Sequence, residues 1–194
     1  MVSLLLLFAC GGAGDSIETP AGDSAEETQA PSLIDLPRLQ LLTRASMDLR
    51  GVRPSIAELE SVEADPDTLE ALISSFLDGD LFGGQLRSHY ANIYLTKLDY
   101  YYVGAEDYGL DNEPGFARAI GEETLRILSH IAEEDLPYTE IVAGDWTMAN
   151  ELLGAAWPVN YPEDGTGWLP VSYTDKRPTA GILSTNSLWW RYMS

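Results

Sequence analysis

Apolar residues recur at helical spacing from Leu33 onward, and this pattern constrains the fold more than any other feature of the sequence. In the stretch DPDTLEALISSFLDGD, the apolar positions are Leu69, Leu72, Ile73, Phe76 and Leu77. Steps of three and four residues place such side chains on one face of an α-helix. The chain shows no internal repeat and no βαβ alternation. We therefore predict a mainly α fold, an irregular multi-helix bundle.

Capping signals divide this region into separate helices. Gly51 suits the end of a first helix, and Ser55 with Glu58 has the spacing of a capping box that starts a second. Further helices are predicted in the stretches DPDTLEALISSFLDGD, FGGQLRSHYANIYLTKLDYYY, FARAIGEETLRILSHIAEED and SLWWRYM, and around Tyr138–Ala143 and Thr147–Ala156. Between the helix around Thr147–Ala156 and the helix SLWWRYM, the stretch WPVNYPEDGTGWLPVSYTDKRP predicts a long loop, with a short strand pair around Trp168–Tyr173.

The chain has one cysteine, and its position indicates where the protein is located. Residues Leu4 to Phe8 form an apolar run that is too short to span a membrane and ends at the small residue Ala9. The sequence Leu7-Phe8-Ala9-Cys10 resembles a bacterial lipobox, which implies cleavage before Cys10 and lipid attachment to it. The alternative is an ordinary signal peptide with an incidental cysteine. A single cysteine also excludes intrachain disulfides.

Residues 11–32 have the composition of a flexible tether. GGAGDSIETPAGDSAEETQAPS contains no aromatic and no basic residue, so it cannot bury enough apolar surface to offset the entropy of ordering. We predict a signal peptide at 1–9, a lipidated Cys10 and acidic tether at 10–32, and a helical domain at 33–194. The protein would be exported and anchored in a membrane, facing the periplasm or the cell surface.

The net charge of −20 excludes one class of partner. Nucleic-acid binding needs a basic surface to neutralise phosphates, and the chain has 31 acidic residues against 11 basic ones. We therefore predict no nucleic-acid partner. The same charge disfavours adhesion of the folded surface to anionic lipid, so membrane contact is expected through the lipid anchor.

Three stretches together resemble a known group of proteins. The first is LTRASMDLRGVRPSIAELESVEADP, followed by LFGGQLRSHYANIYL. Its pattern positions are Arg44, Met47, Asp48, Leu49, Gly51, Pro54, Ser55 and Glu58. The second is LPYTEIVAGDWTMANELL, with Pro137, Tyr138, Ile141, Val142, Asp145, Trp146, Thr147 and Asn150. The third is RPTAGILSTNSLW. These resemble modules of planctomycete-type cytochrome-associated surface proteins, families of unknown function, over most of Leu36 to Trp190.

The chain departs from that pattern in two ways. Members often carry a Cys-x-x-Cys-His motif for haem attachment, and a chain with one cysteine cannot supply it. The resemblance also stops inside the third module, so we expect the domain to be truncated at its C-terminus. We predict no cofactor.

The sequence offers little that indicates catalysis or metal binding. The two histidines, His89 and His130, have no paired spacing, and no nucleophile elbow or phosphate loop is present. The carboxylates Glu140, Asp145 and Glu151 around Trp146 would suit acid–base chemistry on a sugar, but Asp145 also has the spacing of a helix cap. We therefore assign no catalytic and no metal-binding residue.

Aromatic residues are the strongest candidates for a binding surface. A helix cannot bury three consecutive tyrosines on one face, and the C-terminal part is rich in tryptophan. The candidates are Tyr100, Tyr101, Tyr102, Trp157, Trp168, Trp189 and Trp190. The alternative is that these side chains fill a core beneath the long loop. We expect at least one of Trp189 and Trp190 to be substantially exposed.

The preferred hypothesis is an exported lipoprotein whose helical domain binds or scaffolds an envelope protein or a glycan. Two alternatives remain open. One is the haem-free portion of a cytochrome-associated redox assembly. The other is a carboxylate-dependent polysaccharide hydrolase.

Overall fold

The structure, a computed structural model, describes residues 36–193. The predicted signal peptide, Cys10 and the tether lie outside these residues. Leu36 onward forms one compact unit. No helix within 36–193 has the length and apolar character needed to cross a membrane.

The predicted mainly α fold is confirmed, with a small sheet near the C-terminus. The helices are α1 (Arg38–Arg50), α2 (Ile56–Ala64), α3 (Thr68–Ser75), α4 (Asp80–Tyr94), α5 (Glu113–Glu133), α6 (Glu140–Ala143), α7 (Glu151–Ala156) and α8 (Asn186–Tyr192). Short 3₁₀ helices cover Phe76–Asp78, Ala105–Tyr108 and Gly181–Ser184. The strands β1 (Thr147–Ala149) and β2 (Leu169–Val171) pair antiparallel, with Met148 opposite Pro170.

Helices α1 to α3 enclose a small core of their own. Leu42, Val62 and Phe76 are its buried members. Gly51 ends α1 in the left-handed conformation, as predicted. The predicted capping box is also present: Ser55 accepts from the backbone N–H of Glu58, and the Glu58 carboxylate accepts from the N–H of Ser55.

Helix α5 is the centre of the remaining fold. Phe116, Ile120, Leu125 and Ile127 are buried along it. It packs against α4, β1, α7 and α8. Gly121 lies where α5 meets the backbone of Thr96 so closely that a Cβ atom would overlap the Thr96 carbonyl. The long amphipathic helix therefore organises the two larger hydrophobic clusters of the domain.

Two helix predictions are wrong at their boundaries. The fourth helix was expected to reach Tyr102, but α4 ends at Tyr94 because Leu95 adopts the left-handed conformation. The segment after Trp146 was expected to be helical from Thr147, but Thr147–Ala149 is strand β1 and all three residues are buried. A strand that is buried on both faces has no alternating pattern to distinguish it from a helix.

The structure also gives the partners of the predicted strand pair and of the predicted helix cap. Strand β2 lies within Trp168–Tyr173 and pairs with β1, and Tyr173 just beyond it forms an isolated antiparallel bridge with Val159 of the same loop. The cap of α7 is Asn150, whose side chain accepts from the N–H of Leu153 at 3.1 Å. Asp145 is exposed and lies outside any helix.

Candidate functional site

The structure separates the predicted aromatic surface into core and surface residues. Tyr101 and Trp157 are only 2% and 5% exposed. The prediction of a binding surface is therefore wrong for these two side chains. Trp168 and Trp190 are half-buried against the hydrophobic clusters. Tyr100, Tyr102 and Trp189 present most of their rings to solvent.

Specific contacts hold the two buried rings. The Tyr101 hydroxyl donates to the carbonyl oxygen of Thr96, and burial raises the pKa of Tyr101. The Trp157 indole meets the rings of Tyr108 and Phe116 at 5.8 and 5.7 Å between centroids. Both side chains belong to the core around α5, which is the alternative that the sequence left open.

Trp189 lies between two clefts on the surface of α8. The first has a volume of about 530 Å³, and its polar lining includes Asp175, Arg177 and Asn186. The second has a volume of about 630 Å³ and is lined mainly by apolar groups, with Tyr94 and Tyr192 among them. Trp189 is 64% exposed and lines both clefts. The expectation that one of the two terminal tryptophans is exposed is confirmed. We call the first of these the Trp189 cleft.

Arg177 is fixed in the wall of the Trp189 cleft. Its guanidinium lies over the Tyr173 ring at 3.6 Å from the centroid. It donates to Asp175 at 2.6 Å, to the carbonyl oxygen of Ser184 at 2.8 Å and to Oδ1 of Asn186 at 3.0 Å. The pairing with Arg177 lowers the pKa of Asp175. Hydrogen bonds thus join the polar groups of this wall, and Asp175 neutralises the charge of the arginine.

A buried glutamate lies beneath this wall. Glu123, in the middle of α5, is 0% exposed. Its Oε1 accepts from the hydroxyls of Thr147, at 2.8 Å, and Tyr173, and its Oε2 accepts from the backbone N–H of Ser187 at 2.8 Å. Burial raises the pKa of the Glu123 carboxyl, while these three hydrogen bonds and the charge of Arg177 oppose that rise.

The Glu123 network joins α5 to three segments that are distant in sequence. Thr147 opens β1, Tyr173 follows β2, and Ser187 lies in the first turn of α8. Thr185, which caps α8, adds a hydroxyl contact to Thr124 of α5 at 2.9 Å. Because the Arg177 guanidinium stacks on the Tyr173 ring, the network positions the polar wall of the Trp189 cleft.

The sequence interpretation missed Glu123, although the sequence contained a signal for it. Ile120 and Ile127 are buried positions of α5, and Glu123 follows the first by three residues and precedes the second by four. Glu123 therefore lies on the apolar stripe of the helix. A carboxylate on such a stripe must be buried, and a buried carboxylate needs donors.

Two of the three carboxylates near Trp146 have hydrogen-bond partners of their own. Glu140 accepts from the Trp146 indole N–H at 3.0 Å, and Glu151 accepts from the N–H of Gly167 at 2.6 Å. Asp145 is exposed. Within residues 36–193, no group of three or more His, Cys, Asp or Glu side chains is placed to hold a metal ion.

Comparison of the chain with protein-family models, with curated proteins and with solved structures returns no match. The resemblance to planctomycete-type cytochrome-associated surface proteins therefore stays a prediction.

Proposed function

We propose that this chain is an exported lipoprotein whose helical domain is a non-catalytic binding module at the cell envelope. The proposed binding face is the Trp189 cleft, and the proposed ligand is a neutral glycan of the envelope. Cys10, in its lipobox-like sequence, is the proposed point of membrane attachment.

The exposure of Trp189 carries this proposal. Fully burying a large apolar side chain gains roughly 1.5–3 kcal/mol, so a large exposed indole is unfavourable for the isolated domain. Trp189 is nevertheless 64% exposed and lines a cleft on either side. Exposed aromatic residues beside a few fixed polar groups are characteristic of binding sites.

The polar lining favours a glycan as the ligand. The C–H face of a pyranose ring is apolar and stacks on an indole, while its hydroxyls need fixed donors and acceptors. Asp175, Arg177 and Asn186 offer both kinds of group, and their mutual hydrogen bonds hold them in place. Because Arg177 is paired with Asp175, the cleft has no unpaired charge among these three residues to attract an ionic ligand. This favours a neutral sugar.

Glycan binding by the Trp189→Ala variant tests the proposal. Tyr100→Ala is the matched control, because Tyr100 is 65% exposed and does not line the Trp189 cleft. We expect the wild type and Tyr100→Ala to retain neutral polysaccharides on a glycan array and Trp189→Ala to lose them. Equal binding by the two variants, or no binding by the wild type, would overturn the proposal.

Membrane attachment is tested separately. We expect the full chain, expressed in a bacterium, to gain lipid mass and to fractionate with membranes. The Cys10→Ser variant should be released while its circular dichroism stays unchanged. A wild-type chain without added lipid would contradict the anchoring part of the proposal and leave the glycan test standing.

A further inference from the structure

A third cleft, apart from the two beside Trp189, lies between α4, α5 and the loop that leads to β2. Its lining includes Arg87 from α4, Arg126 and His130 from α5, and Trp168. We call it the arginine cleft. Its volume is about 290 Å³. It holds two of the 11 basic residues in a chain of net charge −20.

Arg87 is held in place while part of its guanidinium stays available. Its Nη1 donates to Oγ of Ser129 at 3.0 Å and lies 4.0 Å from the Glu133 carboxylate, too far for a hydrogen bond. Within residues 36–193, Nε and Nη2 of Arg87 have no hydrogen-bond acceptor. The Arg87 side chain is also largely shielded from solvent.

Arg126 is held in a similar way. Its Nε and Nη2 donate to Glu122 at 3.0 and 2.9 Å, and its guanidinium lies 5.0 Å from the Trp168 ring centroid. Nη1 of Arg126 has no acceptor in the described part of the chain. Burial, together with the positive charge of Arg126, lowers the pKa of Arg87. The positive charges of the two guanidinium groups therefore repel each other. Each group also keeps N–H donors that have no acceptor in the described part of the chain.

We propose that the arginine cleft binds a tetrahedral oxyanion, a phosphate or sulfate group. Spare donors come from guanidinium groups on two helices, and His130 adds an imidazole to the same lining. Spare donors on two separate guanidinium groups suit an anion with three or four oxygens better than a carboxylate with two. Charge-assisted hydrogen bonds from arginine are among the strongest that proteins offer to phosphate. The anion would also relieve the repulsion between Arg87 and Arg126.

The same cleft contains two carboxylates that oppose anion binding. Asp80 and Glu133 belong to its lining. The backbone of α4 approaches Glu133 at Gly83, where a Cβ atom would overlap the carboxylate. We therefore expect weak, salt-sensitive binding that becomes tighter in Glu133→Gln. This gain of affinity distinguishes a ligand site from a set of structural ion pairs. The proposal does not depend on the Trp189 cleft.

Titration of the full chain with inorganic phosphate, sulfate and methyl phosphate tests the proposal. Tryptophan fluorescence reports on the cleft through Trp168, and sodium chloride at matched ionic strength controls for screening. We expect a saturable change with the tetrahedral anions that chloride does not produce and that Trp168→Phe abolishes. Binding of methyl phosphate as tight as that of inorganic phosphate indicates an ester-linked group. Binding of inorganic phosphate or sulfate alone indicates a free anion.

Variants of the two arginines complete the test. We expect Arg126→Gln and Arg87→Gln to weaken binding about tenfold each, the effect of one charge-assisted contact. Arg118→Gln is the control, because Arg118 is exposed on α5 and donates to the carbonyl oxygen of Pro114. The proposal fails if the wild type shows no saturable response. It also fails if the Arg126→Gln and Glu133→Gln variants both titrate like the wild type. These two variants test the proposal even if the Arg87→Gln variant does not fold.

Discussion

Two glutamates stabilise two regions of the domain in different surroundings. Glu58 lies at the start of α2, and it accepts from Ser55, three residues away, and from Arg50, eight residues away. Glu123 lies in the middle of α5. Its partners Thr147 and Ser187 are 24 and 64 residues further along the chain.

The difference concerns when the contacts can form. The hydrogen bonds of Glu58 need only a turn between two helices, so they depend on local sequence. Those of Glu123 need β1, the segment after β2 and α8 to be packed on α5 together. The Trp189 cleft depends on such long-range contacts. Its Arg177 stacks on the ring of Tyr173, and the Tyr173 hydroxyl is bonded to Glu123.

Removal of the Glu123 carboxylate is expected to have the largest effect on stability. In Glu123→Ala, the hydroxyls of Thr147 and Tyr173 and the N–H of Ser187 lose their buried acceptor. Each buried donor left without a partner costs roughly 1–3 kcal/mol, so we expect a loss of about 3–5 kcal/mol in the free energy of unfolding. Urea denaturation of the variant and the wild type measures it.

The neighbouring Glu122 provides the control for this prediction. Glu122 is partly exposed and pairs with Arg126 on the surface of α5, so Glu122→Ala should cost only about 1 kcal/mol or less. Similar losses in the two variants would show that the buried network contributes no more than a surface ion pair. The comparison between the two regions would then be wrong.

Two glycines give a smaller test of the same comparison. Gly51 and Gly181 both have positive φ values, 72° and 52°. Alanine in that conformation costs roughly 1–2 kcal/mol at either position. At Gly51, a Cβ atom would meet the end of the Gln85 side chain, which can move. At Gly181, it would overlap the backbone of Ile141, which cannot move without shifting α6.

We therefore expect Gly181→Ala to lose about 1–3 kcal/mol more than Gly51→Ala. Thermal unfolding of the two variants, followed by circular dichroism, measures the difference. Equal losses of stability in the two variants would indicate that the backbone of α6 at Ile141 moves aside as easily as the Gln85 side chain does. The Gly181–Ser184 segment lines the Trp189 cleft through Ser184, so a shift there would also alter the cleft.

The sequence predicted features whose causes are local. The capping box of Ser55 and Glu58 and the left-handed end of α1 at Gly51 depend on residues within a few positions. The segment Thr147–Ala149 was misassigned as helix because its strand partner, β2, begins 20 residues beyond the end of β1 at Ala149. A pattern within a short window contains no information about such a partner.

The candidate sites show the same limit. The exposure of at least one of Trp189 and Trp190 was predicted from the apolar character of the last helix, but the polar neighbours Asp175 and Arg177 of Trp189 were not. The arginine cleft was not predicted at all, because Arg87 and Arg126 lie 39 positions apart and meet only through the packing of α4 on α5.

The smallest expected effect concerns the pH dependence contributed by Glu58. The hydrogen bond from Arg50 lowers the pKa of Glu58 to about 2, from an ordinary value of 4.5. A carboxyl whose pKa is lower in the folded state stabilises that state above the unfolded pKa. The stabilisation is lost as pH falls from about 4.5 to about 2. Glu58→Gln keeps a side chain that suits a capping box but removes the charge, so the variant should lack this pH dependence.

Partly exposed ion pairs contribute roughly 1 kcal/mol or less, so the difference between wild type and Glu58→Gln should be of that size near neutral pH and vanish near pH 2. Glu123 should show the opposite sign, because burial raises its pKa. Its stabilising contribution is fully present below the unfolded pKa and decreases as pH rises through the folded one. Urea denaturation of wild type, Glu58→Gln and Glu123→Gln between pH 2 and 7 separates the two. If both glutamates contributed more stability as pH rises, the buried carboxylate would resemble the local one, and the contrast between the regions would be lost.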